Sequence, residues 1–355
     1  TISVPVGLQY GKNAGNIQVQ GSLLRVPNGN TLALIGGSVR LDGGTLQAPG
    51  GQVELGGVAE LGTVGLNLEG GNLRLSFPEE VQRADVSLTN QARVNVSAGV
   101  SGNIALNAHN IEIKQSSLKS GESFLVTRAG NITLNATGEI FLTTAELQAL
   151  GGLGEINIRA SAISSTGSAL SVSDFGGTAG DISIQANNSV SLAGSLVVSV
   201  AGFGEASGSI NIQAKSISLT DRSIVNVAAT RGVSGDISLN ASDYVNLSES
   251  RIIANGGSGG ATPGKGGNIE ITTKSLAVTG GATLEASTRG QGDAGSVKIT
   301  ASDTVSFDGG GGAFTAQEGA GGKGGNIEIT TKSLAVTSAT LEASTRGQGD
   351  AGSVK

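Results

Sequence analysis

The sequence predicts an all-β fold, a parallel β-helix with three short strands per coil and about 21 to 30 residues in each coil. Two observations carry that expectation: a phrase that recurs at a nearly fixed interval, and apolar alternation with period two inside each repeat. A third excludes the main rival. No apolar stripe at i, i+3, i+4 persists over three turns, and glycine interrupts throughout.

The recurring phrase is a glycine, a small polar residue, then two aliphatics separated by one polar residue. It reads GNIAL from Gly102, GNITL from Gly130, GEINI from Gly154, GDISI from Gly180 and GSINI from Gly208. It continues as GDISL from Gly235, GNIEI from Gly267, GSVKI from Gly295, GNIEI from Gly325 and GSVK from Gly352, at intervals of 24 to 32 residues. A period in that range is the mark of a solenoid, in which each repeat buries its apolar face only against its neighbours.

Within the unit from Gly267, three short runs alternate apolar and polar: Ile269 and Ile271, then Leu276 and Val278, then Leu284 and Ala286. The residues between them are too few for a crossover helix. Aligned on the phrase, Ile104, Ile132, Ile156, Ile182, Ile210, Ile237, Ile269, Val297 and Ile327 should form one interior column. Leu106 through Ile329, two positions on, should form a second. The looser stretch RGQGDAG from Arg289 is expected at the surface. Roughly 13 coils at about 4.8 Å each would make a rod on the order of 60 Å long.

Residues 1–100 repeat more tightly. In GGSVRLDGGTLQAPGGQVELGG from Gly36, the apolar Val39, Leu46 and Val53 stand seven residues apart between glycine-rich corners. The expectation is a compact coil of about 21 residues with almost no surface loop, and a short external turn at FPEEVQRA from Phe77. The chain is thus divided into tightly wound coils over 1–100 and repeats of about 28 residues over 101–355, continuous with one another.

Composition narrows the function classes. Glycine is abundant at 59 residues without the three-residue period of collagen, and aromatics make up 3%, which suits a narrow interior of stacked aliphatics. A net charge of −6 with no basic stripe or aromatic platform argues against nucleic acid as a partner. No run approaches 18 apolar residues. Cysteine is absent, which removes disulfides and Cys-zinc chemistry and suits a chain threaded unfolded through a narrow pore. The start at Thr1 without a leader pattern, and the lack of methionine, are those expected of a mature or partial chain.

The opening SVPVGLQYGKNAGNIQVQG, the segment NTLALIGGSVRLDGGTLQAPGGQVELGGV from Asn30 to Val58, and the later GNIxI coils resemble cyanobacterial two-partner-secretion exoproteins of the filamentous-haemagglutinin type. The resemblance implies a right-handed β-helix, export by a dedicated outer-membrane barrel, residence outside the outer membrane, and adhesion. Members carry an NPNGI-type motif in the secretion domain, and none occurs here. The chain therefore reads as passenger from after that domain, without its export signal.

Catalytic chemistry finds little support. His109 is the lone histidine and stands in a turn context, LNAHNIEI; neither a GxSxG elbow nor an HExxH motif occurs. Asp293 and Asp350, in two copies of GQGDAG, resemble half of a calcium-binding nonapeptide, but the copies lie 57 residues apart without the tandem partner. They are weak calcium candidates, read more simply as turn residues, like Asp174, Asp181 and Asp236. No other cofactor is expected. Glu270 with Glu328, and Glu285 with Glu342, share registers two coils apart, a spacing an inverting glycosidase pair would tolerate. Lys298 interrupts the first pair. Rows of Thr, Ser and Asn such as TTKS at Thr272 and Thr330 read as ordinary outward positions, with ordered water or glycans as the alternative.

Lys265 to Lys298 recurs as Lys323 to Lys355, with Ser338 in place of Gly280 and Gly281. The last phrase stops in mid-strand without a polar cap, so further chain or another molecule is expected against it. The reading is a non-enzymatic extracellular adhesin whose partners are the secretion barrel, surface glycans or other cells. The alternatives are a self-associating fibre or sheath subunit and, less favoured, a polysaccharide-active enzyme.

Overall fold

The computed structural model describes residues 6–69, 72–122, 128–203, 206–257, 264–319 and 321–355; positions 3–5 of the opening segment lie outside these. The described chain is all-β and forms a parallel β-solenoid. One sheet of 17 strands carries two faces of the coil, and a sheet of twelve strands carries the third. Twelve strands give one per coil among the described residues, close to the expected 13, and a stack about 50 Å long at about 4.8 Å per coil.

The predicted columns exist. Ile104 pairs in register with Ile132, Ile132 with Ile156, and the series continues through Ile182, Ile210, Ile237, Ile269 and Val297 to Ile327. Each of these side chains is fully buried. The second column runs from Leu106 to Ile299 inside the core, and Ile329 packs against it. β-Branched side chains suit the pleated surface, and stacking puts like on like, so every coil repeats the contacts of the last.

The first two runs of each unit are separate strands early on, as in Ile104–Ala108 and Ile111–Lys114, but later merge into one bent strand such as Ile269–Thr279. The bend survives as a register shift, for example between Thr273 and Ser275. Three faces remain; the corner simply keeps an extended backbone.

Two devices make the coils stack closely. At the recurring glycine, a Cβ on Gly267 would lie 1.8 Å from the carbonyl oxygen of Gly235, and one on Gly295 would lie 1.8 Å from that of Gly267. No side chain fits, which is why the phrase begins with glycine. At the opposite corner, one residue adopts a left-handed conformation and a small buried residue follows it. Gln115 (φ 50°) precedes Ser116, and Glu249 (φ 51°) precedes Ser250. Ser338 (φ 50°) holds this position in the second copy, where Gly280 and Gly281 (φ 61° and 78°) stand in the first. The shorter turn is accommodated because one left-handed residue suffices.

The amino-terminal coils depart from the expectation of almost no surface loop. Val39 pairs with Val86, and not with a residue about 21 positions on, because residues 58–85 leave the coil. They form an antiparallel hairpin of Gly62–Glu69 and Asn72–Ser76, which Gly7–Tyr10 extends to a three-stranded sheet. The stretch from Phe77 is indeed strand-free, but Val81 within it is buried in a second core with Val58 and Val64.

Candidate functional site

The outer sheet covers the strand Gln52–Gly57, every residue of which is buried. Its outward residues are Gln52, Glu54 and Gly56. In register beside Glu54 stand Ala33 and Ala105, whose small side chains leave room for the sheet to settle. The Phe77 ring sits directly on Gly56, since a Cβ there would meet its Cζ at 2.3 Å. Tyr10 donates to the Ile35 carbonyl at 3.1 Å, tying the sheet's first strand to the coil.

Glu54 is the unusual group. It is 4% exposed, and its Oε2, like Oε1 of Gln52, has no hydrogen-bond partner. Burial disfavours the carboxylate and pushes its pKa up to about 7, against the opposing influence of a hydrogen bond to the Leu75 backbone and the charge of Arg74. A protonatable carboxyl thus lies between the solenoid and the three-stranded outer sheet.

Residues 1–109 match the family model of the TPS secretion domain. No curated protein and no solved structure matches the chain. The match spans the tight coils and the outer sheet, so these residues are not passenger that follows the secretion domain. The expectation built on the missing NPNGI-type motif is corrected: residues 1–109 match the secretion domain although that motif does not occur in them. A match to the TPS secretion domain, carried on a β-helix, supports a two-partner-secreted exoprotein. Such a domain interacts with an outer-membrane transporter and is exported to the cell surface or beyond.

The other candidates fall along the solenoid. His109 is exposed, with Nδ1 3.1 Å from Thr137 Oγ1. Asp293 Oδ1 accepts from the Lys323 N–H at 2.8 Å, and its carbonyl accepts from Gly266; the Asp350 carbonyl likewise accepts from Gly324. Asp181 and Asp236 accept the N–H groups of Ser209 and Asn268 in the next coils. Among the described residues, no three acidic or histidine side chains stand together as a metal site would require. Glu270, Lys298 and Glu328 do share one register, and Lys298 bridges to Glu270 at 3.4 Å. Glu285 is held by Arg251 and Asn255, and Phe314 separates it from Glu342. Glu270 and Glu328 border one groove of about 300 Å³ with Lys298 between them, whereas Glu285 and Glu342 line no common groove among the described residues.

The buried Glu54 and the hairpin escape a reading of the sequence. A signal exists for the hairpin: VGLNLEGGNLRLS alternates on both sides of a Gly-Gly pair.

Proposed function

We propose that the chain is the shaft of a non-enzymatic surface adhesin delivered by two-partner secretion. The observation that carries this reading is the match to a TPS secretion domain in residues 1–109, followed by a β-solenoid that runs through the described residues. The solenoid buries its ladders and turns polar rows outward along its length, which suits a stiff support for contact with glycans or other cells.

Deleting the gene in the producing organism tests the reading. Loss of attachment to glycan-coated surfaces or partner cells, restored by the intact gene, is the expected result. A surface-exposed protein whose removal leaves attachment unchanged would overturn it. Continuous filaments seen by electron microscopy on such cells would favour the fibre alternative.

A further inference from the structure

The turn from Phe77 to Arg83 overhangs the solenoid and, with the coils beside it, encloses a groove of about 790 Å³. The floor of the groove is a column of outward side chains in strict register. Asn135, Arg159, Gln185 and Gln213 line the groove, each paired with the next, and the column runs on beyond it to Asn107 on one side and Asn240 on the other. Successive members repeat at about 4.8 Å, so the column offers amide donors and acceptors at regular steps along the rod. Asn135 Nδ2 donates to Asn107 Oδ1 at 3.2 Å, which shows the amides aligned with the axis.

Two guanidinium groups face this groove. Arg83 lies 5.4 Å over the Phe77 ring and donates to the carbonyls of Phe77 and Asn135, at 3.4 and 3.3 Å. Its Nε is buried without a partner. Phe77, fixed on Gly56, therefore acts as the platform that places Arg83. Arg159 rises from the floor, exposed, and makes no ion pair among the described residues. Against these two guanidiniums the lining carries one carboxylate, Glu79, so the groove keeps a positive balance in a chain of net charge −6, with Arg159 the more open donor.

We infer that this groove binds an extended acidic polysaccharide, with the amide column taking its hydroxyls and Arg159 and Arg83 taking its carboxylates. A guanidinium matches a carboxylate with two parallel N–H bonds, and regularly spaced amides match a repeating chain of hydroxyls. The overhanging turn closes one side, which orients the saccharide along the rod axis. The inference rests on the adhesin reading and deepens it by giving it a ligand class.

The test uses the intact chain in affinity electrophoresis through gels containing polygalacturonate, with dextran as the neutral comparison. The expected result is retardation by polygalacturonate alone, weakened about tenfold in Arg159→Gln and unchanged in Lys114→Gln, which removes an exposed charge outside the groove. Gln185→Ala combined with Gln213→Ala should also weaken binding, and circular dichroism should show each variant folded. No retardation, equal retardation by dextran, or equal losses in the Arg159 and Lys114 variants would overturn the inference. If attachment is lost on gene deletion while polygalacturonate is not bound, the groove assignment fails and the adhesin reading stands. If polygalacturonate is bound while deletion leaves attachment unchanged, the groove assignment stands and the adhesin reading fails.

Discussion

The backbone N–H of Asn268 donates to Asp236 Oδ1 at 2.7 Å, and the Asn268 side-chain amide reaches the same oxygen at 3.1 Å. These residues follow the recurring glycine in successive coils, and the bond is one rung of a ladder. Asn131 donates to Asn103, Ser209 to Asp181, Asp236 to Ser209, Ser296 to Asn268, and Ser353 to Asn326. The small polar residue of the repeat is therefore an acceptor for the coil that follows. Asp236→Ala should lower stability by about 1 kcal/mol, since water partly replaces the lost acceptor at this exposed site. Asp236→Asn keeps Oδ1 and should be near neutral. Denaturant midpoints of the two variants check the difference.

The glycine beside that ladder has a stricter requirement. A Cβ on Gly267 would stand 1.8 Å from the Gly235 carbonyl, and backbone cannot yield as a flexible side chain can. Gly267→Ala should cost about 2–3 kcal/mol through forced separation of two coils. Gly176→Ala meets nothing within 4 Å and should be silent. Thermal unfolding of both variants decides; equal melting temperatures would remove the steric account.

Glu54 makes the outer sheet sensitive to pH. Its pKa rises from 4.5 to about 7 on folding, so between those values the folded chain holds a proton that the unfolded chain has released. The contribution is fully present below about 4.5 and is lost as pH rises through 7. Integrated over the shift it amounts to about 3 kcal/mol. Glu54→Gln should flatten the dependence and raise stability at pH 8. Hydrogen exchange of the hairpin amides at pH 5 and pH 8 measures this; protection independent of pH in the parent chain would exclude it.

Legibility from sequence follows periodicity. The columns headed by Ile104 and Leu106 are readable because each coil repeats the same alternation, so register is announced ten times over. The outer sheet occurs once, and its alternation around Gly70 and Gly71 looks locally like one more stretch of coil. Burial of Glu54 is not readable at all, because it depends on an excursion of residues 58–85 folding back over a strand already passed. The groove is equally hidden. Its floor follows from the repeat, but the placing of Arg83 depends on Phe77 meeting Gly56.

Thr144 sits at a left-handed corner with φ 49°, where a β-branched residue is strained. The next two coils place Gly167 (φ 57°) and Gly194 (φ 58°) at the equivalent position, following the register of Thr143 with Thr166 and of Thr166 with Ala193. The Thr144 side chain is exposed, and its backbone N–H donates to the Thr166 carbonyl, a bond any residue there retains. Thr144→Gly relieves the strain but adds freedom to the unfolded chain. Relief of strain at a β-branched left-handed residue is the larger effect, so a net gain of about 1 kcal/mol is expected. A higher melting temperature for Thr144→Gly than for the parent chain is the result to look for. A lower one would mean that the corner tolerates threonine without strain.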